Sequence, residues 1–201
     1  MAKITGITCH SIDYRLAPEH PYPAALGDAL LAYQDIVSKN PDSRIILAGD
    51  SAGGGLSLAL MMKLRDEDGR MPDDAVLFSP WSDLTCQGES FETKSKLDPM
   101  LTTSMLRECT RYYVPEGVDI TDPYVSPAYG DFSDLPRMLI LCGGKEILLS
   151  DCEDLAGKAE TAGIDVELSL WPGMFHDWWL FGRFIPETKQ CLTKVSLWLD
   201  T

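Results

Sequence analysis

The sequence predicts an α/β fold built on a doubly wound, mostly parallel sheet. Several short apolar runs lack polar alternation, which is typical of strands covered on both faces. Stretches with apolar residues at helical spacing lie between these runs, and strand and helix in alternation indicate parallel pairing. The chain has 201 residues, so we expect one domain spanning residues 1–201.

The composition excludes several classes of function. The formal net charge is −14, from 31 acidic and 17 basic residues, so the chain should repel phosphate backbones and we expect no nucleic-acid partner. No apolar stretch approaches the roughly 18 residues of a membrane span. The six cysteines have no C-x-x-C pair, which argues against a zinc site and a disulfide scaffold, so we expect no metal and no cofactor. The N-terminus shows no secretory signal, and we expect a cytoplasmic location.

The first part of the chain contains a proline-rich turn between two predicted elements. Residues Ile4–Tyr14 read as a first strand, and three prolines between Arg15 and Pro23 interrupt regular structure. An amphipathic stripe then predicts a helix from Ala24 to Ser38. A buried strand is predicted at Ile45–Ala48, directly before a glycine-rich turn.

The second part of the chain repeats this alternation after one interruption. The predicted elements are helix Gly54–Leu64, strand Ala75–Trp81, strand Arg137–Gly144, helix Ser150–Ala162 and strand Asp165–Trp171. Between the second and third of these the pattern gives way to polar and proline-rich stretches around one amphipathic helix, Thr102–Tyr113. We expect residues 83–134, approximately, to form a cap insertion over the carboxyl ends of the strands.

The five residues Gly49-Asp50-Ser51-Ala52-Gly53 form a G-x-S-x-G pattern. A strand is predicted before them and a helix after them, which is the context of a nucleophile elbow. Such an elbow places its serine on a strained turn and requires small neighbours. Ser51 is therefore the candidate nucleophile, with a glycine-rich helix entry as the alternative.

Several phrases together resemble one family, the α/β-hydrolase fold, and within it the hormone-sensitive-lipase-like esterases. The phrases are Asp13–Glu19, Pro21–Ala25, Gly49–Gly54, Ser79–Trp81 with Asp83-Leu84, Asp122–Pro127 and Gly173–His176. They occur in family order over essentially the whole chain, and the elbow is similar to that of the Gly-Asp-Ser-Ala-Gly subgroup. The resemblance implies a serine carboxylesterase that acts on a small-molecule ester without a cofactor.

A serine nucleophile requires a histidine base and a carboxylate behind it. His176 follows the last predicted strand, where the order of this fold, serine then acid then histidine, puts the base. The alternative is a histidine that only makes structural hydrogen bonds within its loop. Relatives carry an aspartate three residues after a glycine that corresponds to Gly143, and this chain has Glu146 there. Asp151 is the competing acid, although its place at a helix start favours capping.

Other residues beside the elbow or elsewhere in the chain are further candidates for the site. The backbone N–H of Ala52 is the expected oxyanion donor. Asp50 either tunes the site electrostatically or holds the turn by hydrogen bonds. Trp81, Phe175 and Trp178 either line an acyl pocket or belong to the core.

The resemblance also implies a feature that this sequence lacks. Relatives carry a His-Gly-Gly-Gly-type loop that supplies half of the oxyanion hole, and nothing here matches it. We therefore expect a fold that is incomplete on its N-terminal side and a poor catalyst, because one lost oxyanion donor costs on the order of 10²–10³ in turnover. The first strand, Ile4–Tyr14, would then have an uncovered edge and promote self-association.

The sequence thus favours an esterase that hydrolyses short- to medium-chain acyl esters through an acyl-enzyme on Ser51. Two alternatives stay open. The chain could be a ligand-binding, receptor-like module, although His176 argues for the enzyme. It could also be an inactive fragment that keeps the triad by descent.

Overall fold

The computed structural model describes residues 2–201. Its elements in chain order are α1 (Ala2–Thr5), α2 (Ala24–Lys39), β1 (Ile46–Asp50), α3 (Ala52–Asp66), β2 (Asp74–Phe78), α4 (Ser90–Thr93), α5 (Thr103–Tyr113), a 3₁₀ turn (Pro127–Tyr129), β3 (Arg137–Gly143), α6 (Leu149–Thr161), β4 (Val166–Trp171), a 3₁₀ segment (Trp178–Phe184) and α7 (Pro186–Leu199). Every element predicted after the proline turn is present, with ends within three residues of the prediction.

The four strands form one parallel sheet in the order β1-β2-β3-β4. Asp50 pairs with Phe78, and Phe78 in turn pairs with Leu141, so the carboxyl ends of these strands lie level with one another. Gly143 pairs with Trp171 at the same end of the strands. The loops that follow β1, β3 and β4 therefore leave the sheet side by side, and these loops carry the predicted site residues.

Helices cover both faces of the sheet, which confirms the doubly wound α/β prediction. Alternate residues of β2 and β3 point to opposite sides, because successive side chains of a strand do so. On one side, α3 and α6 pack against a cluster that includes Ala75, Leu77, Met138, Ile140 and Cys142. On the other side, α7 and Trp178 pack against Val76, Phe78, Leu139 and Leu141. Helix α2 lies outside α3.

The predicted first strand, Ile4–Tyr14, is wrong. Residues 2–5 form the short helix α1, and residues 6–16 contain neither helix nor strand. Gly6 ends the helix in the left-handed region (φ 71°) and donates its N–H to the carbonyl of Ala2. A segment rich in β-branched residues, such as this one, forms a strand only where a neighbour completes the hydrogen-bond ladder. The edge strands of this sheet are β1, which pairs with β2 alone, and β4, which pairs with β3 alone.

The segment between β2 and β3 holds α4, α5 and the first 3₁₀ turn. It builds its own apolar cluster, in which Phe91, Leu101 and Leu106 pack with Ile147 and Leu148 of the loop after β3. This cluster anchors the segment to the loop that carries Glu146. A cap over the substrate, approximately residues 83–134, stays a prediction. Within residues 2–201, none of the helices combines the length and the apolar character needed to cross a membrane.

Candidate active site

Ser51 lies on a strained turn between β1 and α3. Its backbone has φ 52° and ψ −120°, a conformation that residues other than glycine rarely adopt. The end of β2 braces the turn, because the N–H of Ser51 donates to the carbonyl of Phe78 (2.8 Å) and the N–H of Trp81 donates to the carbonyl of Ser51 (2.9 Å). The turn therefore holds the serine at the carboxyl edge of the sheet.

The glycines around Ser51 do not all serve the close approach that the motif predicts. A Cβ on Gly49 would lie 2.2 Å from the carbonyl oxygen of Gly53, so a side chain there is excluded. A Cβ on Gly53 would meet only the Asp50 carboxylate, at an ordinary 3.8 Å. The other tight positions are Gly54, where a Cβ would lie 2.8 Å from the Cα atom of Pro80, and Gly55, where it would lie 2.2 Å from the carbonyl oxygen of Trp81. The helix therefore approaches the chain after β2 through Gly54 and Gly55 rather than through Gly53.

The loop after β4 brings His176 to Ser51. The His176 Nε2 atom lies 2.9 Å from the Ser51 Oγ atom, within hydrogen-bond distance. The His176 side chain is buried. The loop after β3 touches this loop closely, because a Cβ on Gly143 would lie 2.6 Å from the carbonyl oxygen of Met174. Glycine at position 143 thus lets the loops carrying Glu146 and His176 meet.

Glu146 lies on the other side of the His176 ring and is fully buried. Its Oε2 atom is 3.5 Å from His176 Nδ1, which is within ion-pair distance. The geometry is not that of a hydrogen bond, and Nδ1 has no hydrogen-bond partner among the described residues. Catalytic hydrogen bonds are often long in free enzymes and tighten in the complex. The two groups are therefore placed for such a bond, which this structure does not yet form.

Two neighbours fix the Glu146 carboxylate. The hydroxyl of Ser79 donates to Oε2 (2.7 Å), and the thiol of Cys142 donates to Oε1 (2.7 Å). Ser79 is fully buried in the left-handed region (φ 41°) directly after β2. The sequence reasoning assigned these two residues no role at the site. The Ser79-Pro80-Trp81 phrase was the only available signal for the serine.

Asp151 lies in a different environment. Its Oδ2 atom accepts hydrogen bonds from the backbone N–H groups of Ser82 (3.3 Å) and Asp83 (3.1 Å). Burial raises the pKa of Asp151 well above its usual range, although these two hydrogen bonds oppose that shift. Asp151 lies in the first turn of α6, and from there its carboxyl group holds the turn that follows β2.

Asp177 is a second carboxylate at the ring that the sequence reasoning missed. Its Oδ2 atom lies 3.3 Å from His176 Nε2, the nitrogen that also faces Ser51. Burial lowers the pKa of His176, but the contacts with Asp177 and with Glu146 raise it by more than burial lowers it. The resulting pKa is about 9. The only signal in the sequence was adjacency to His176. Asp177 has φ 56°, and this left-handed turn folds its side chain back towards the ring.

The remaining predicted site residues differ in exposure. Ala52 is exposed at the first position of α3, where its N–H has no carbonyl one turn earlier to bond. Asp50 is exposed at the end of β1. Partial desolvation of the carboxyl by its neighbours and repulsion from Asp177 raise the pKa of Asp50. Ala52 and Asp50 thus flank Ser51 on the solvent side.

The three aromatic candidates are mostly core residues. The Trp178 indole is fully buried between the sheet and α7, so the pocket role considered for it is wrong: no part of its surface can reach a substrate. Trp81 is buried as well, with its indole N–H donated to the carbonyl of Asp83 (3.0 Å). Phe175 is half-buried, and its ring packs edge to face on Phe181 at 5.6 Å. Of these three residues, only Phe175 has enough exposed surface to contact an acyl group.

The described surface also has an open groove at the opposite end of the strands. Its volume is about 660 Å³, and Arg44, Arg70 and Arg137 are among its lining residues. Arg44 and Arg137 both pair with the buried Asp74, at 2.6 and 2.5 Å. The groove includes none of the three residues around the His176 ring, so it is not the candidate active site.

Comparisons with known proteins agree with the fold. A family model described as alpha/beta hydrolase fold matches residues 1–180. An acetyl-hydrolase of Streptomyces hygroscopicus is 39% identical over 197 residues, covering 98% of this chain and 66% of the relative. An esterase of Acinetobacter venetianus is 36% identical over 197 residues, covering 98% and 65%.

Solved structures agree as well. The crystal structure of a hormone-sensitive lipase from a metagenome library has a TM-score of 0.95 at 40% identity, covering 99% of this chain and 68% of that one. The chain thus spans about two thirds of the length of these relatives. The parallel sheet, the strained serine turn and these matches lead to one assignment: the chain belongs to the α/β-hydrolase fold family, among its hormone-sensitive-lipase-like members.

Proposed function

We propose that this chain carries the catalytic triad of a serine carboxylesterase. Ser51 Oγ attacks the ester carbonyl while His176 Nε2 takes the hydroxyl proton, and Glu146 stabilises the imidazolium. His176 then returns the proton to the leaving alcohol, and an acyl-enzyme forms on Ser51. Water, deprotonated by His176, attacks the acyl group, which releases the acid and restores the serine. The Ala52 N–H stabilises the negative oxygen of each tetrahedral intermediate.

The observation that carries this proposal is the 2.9 Å contact between Ser51 Oγ and His176 Nε2 on a strained serine turn. The buried Glu146 carboxylate behind the ring supports it. The relatives named acetyl-hydrolase and esterase support a carboxylic ester as the substrate. We extend this to short- and medium-chain acyl groups. Small-molecule esters are the partners we propose, and the cytoplasmic location stays a prediction.

A second candidate is a weakly active or non-catalytic binding form of the same fold. The observation that favours it is Asp177, because a carboxylate beside His176 Nε2 favours the charged ring, which cannot accept a proton. We also propose that the chain self-associates. We place its interface at the free edge of β1 rather than at Ile4–Tyr14, since Ala48 and Asp50 are exposed there.

A fluorophosphonate probe separates the two candidates. The folded chain is incubated with the probe, and the labelled residue is identified by mass spectrometry. We expect labelling at Ser51, its loss in Ser51→Ala, and unchanged labelling in the control Ser104→Ala, which changes an exposed serine of α5. A folded chain that resists the probe, or reacts at another residue, supports the binding form.

Hydrolysis of p-nitrophenyl esters with increasing acyl length then tests the substrate range. We expect acetate and butyrate to be cleaved faster than octanoate. Sedimentation velocity tests the interface, where Ala48→Lys should weaken association because a lysine on an edge strand opposes strand pairing. Association that Ala48→Lys leaves unchanged would place the interface elsewhere.

A further inference from the structure

Two cysteines lie behind the Glu146 carboxylate. Cys142 belongs to β3 and Cys152 to α6, and both side chains are fully buried, as is Glu146. The two Sγ atoms and one carboxylate oxygen all lie within 4.8 Å of one another. Within residues 2–201, these three form the one group of potential metal ligands with such close contact. A strand, a loop and a helix contribute one residue each. The spacing of these residues along the chain does not resemble a known metal-binding motif.

We propose that Cys142, Glu146 and Cys152 form an inhibitory site for a thiophilic divalent cation such as Zn²⁺ or Cd²⁺. Two thiolates and a carboxylate are a donor set that these ions bind well. Zinc holds thiolate sulfur at about 2.3 Å and carboxylate oxygen at about 2.0–2.2 Å. Ligand atoms already within 4.8 Å of one another need only small side-chain rotations to reach such distances.

The charge balance of the site favours a dication. Counted formally as one carboxylate anion and two protonated thiols, whose pKa values burial raises, the metal-free cluster has a charge of −1. Binding of one M²⁺ releases the two thiol protons and forms two metal–thiolate bonds and one metal–carboxylate bond, so the total charge stays at −1. Because burial penalises a change in charge, an exchange that leaves the charge unchanged suits a fully buried site.

The same carboxylate serves both the cluster and the triad. Oε1 of Glu146 faces the Cys142 thiol, whereas Oε2 faces His176 Nδ1. A cation on Oε1 would take up the negative charge that stabilises the His176 imidazolium. This consequence rests on the proposed function. Occupation of the site should therefore reduce the reactivity of Ser51, without any contact between the metal and Ser51.

Cadmium binding is measured first, without any activity assay. The chain is titrated with Cd²⁺ and monitored by the ultraviolet charge-transfer absorption of cadmium–thiolate bonds, in a Cys9→Ser background because Cys9 is exposed. We expect saturation at one ion per chain, reversed by a chelator, and slow onset because the ligands are buried. Cys142→Ala and Cys152→Ala should each lose the absorption. The control Cys191→Ala, another fully buried thiol, should keep it.

The second readout is the rate of fluorophosphonate labelling at Ser51 with and without Cd²⁺. We expect a fall of roughly 10²-fold or more, since loss of the orienting carboxylate costs about 10⁴ in a serine-protease triad. Each variant is compared with its own metal-free rate, and circular dichroism confirms that it is folded.

The outcomes separate the two proposals. Absorption that persists in folded Cys152→Ala, or a chain that binds no Cd²⁺, overturns the metal site. Metal binding with an unchanged labelling rate overturns the inhibitory role. A metal-free chain that the probe does not label contradicts the proposed function, while the absorption still tests the site.

Discussion

The two sides of the His176 ring are built differently. On the Nδ1 side, Glu146 is fully buried, and Ser79 and Cys142 each donate to one of its oxygens. On the Nε2 side, one nitrogen faces both Ser51 and Asp177, at 2.9 and 3.3 Å. On the acid side, each Glu146 oxygen therefore has its own donor. On the serine side, Ser51 and Asp177 compete for a single proton on His176 Nε2.

This difference separates two tasks of a triad. The acid must keep a fixed position and its charge, and a buried carboxylate keeps both only when donors satisfy its oxygens. The base must exchange a proton with the serine and the substrate. A second carboxylate at Nε2 stabilises the charged ring, and so it opposes the neutral form that begins the reaction. We expect changes on the acid side to lower the rate itself and changes on the serine side to move its pH dependence.

The largest effect is expected for Glu146→Gln. The amide has no charge to stabilise the imidazolium, so kcat/KM should fall by about 10⁴-fold, as in a serine-protease triad. Ester hydrolysis or the rate of probe labelling measures this effect. Glu153→Gln on the exposed face of α6 is the matched control and should keep the rate. A loss below about tenfold for Glu146→Gln would remove Glu146 from the triad.

Ser79→Ala tests whether the acid side is fixed by its donors. The change removes one of two hydrogen bonds to a buried carboxylate, and hydrogen bonds to charged groups contribute about 1.5–3 kcal/mol. We expect the free energy of unfolding in urea to fall by about that amount. Thr110→Val, which removes a buried hydroxyl that donates to the backbone carbonyls of Leu84 and Leu106, gives the effect of a neutral hydrogen bond for comparison. Equal losses in the two variants would show that Glu146 does not depend on Ser79.

The sequence predicts the two residues that we propose as nucleophile and base because their signals are local. Ser51 lies between a strand and a helix within a few residues, and His176 follows directly after the last strand. The helix Pro186–Leu199 was not predicted, although it starts with proline at its first position, which is a recognised signal. The failed strand, Ile4–Tyr14, has a suitable local pattern but no neighbour that pairs with it.

The neighbours of the proposed triad could not be predicted from the sequence. Ser79 and Glu146 are separated by 67 positions, and their contact depends on the pairing of β2 with β3. Cys142 reaches Glu146 because β3 ends directly before the turn that carries the acid. Such contacts follow from strand order and register, which a single sequence does not show. The choice between Glu146 and Asp151 was open for the same reason.

Asp177→Asn should move the pH dependence of the rate. The pKa of His176 is raised to about 9, so roughly one ring in a hundred is neutral at pH 7, since each pKa unit is a factor of ten. Activity should then rise with pH up to about 9. Asparagine carries no charge, and the midpoint should move down towards the ordinary value of about 6.5, with a gain at pH 7 of roughly tenfold for the first unit of that fall.

The stability of the same variant has a definite sign. A histidine with a raised pKa stabilises the fold below its unfolded value of about 6.5, and this contribution is lost as pH rises through about 9. Asp177→Asn should therefore make the unfolding free energy less dependent on pH in this range. Asp165→Asn, before β4, is the control and should keep both profiles. An unchanged pH midpoint in Asp177→Asn would mean that Asp177 does not influence the base.

The smallest effect is expected for Asp151→Asn, which tests the competing acid. The Asn Oδ1 atom can accept the same two N–H groups, from Ser82 and Asp83, and burial already favours the uncharged form of this carboxyl group. We expect kcat/KM to stay within roughly threefold, since the substitution removes no triad member. Asp151→Ala should instead lower the unfolding free energy by about 1–3 kcal/mol, because it leaves two buried N–H groups without an acceptor. A large loss of rate in a stably folded Asp151→Asn, together with a small loss in Glu146→Gln, would give the acid role to Asp151 and reverse the comparison between the two sides of the ring.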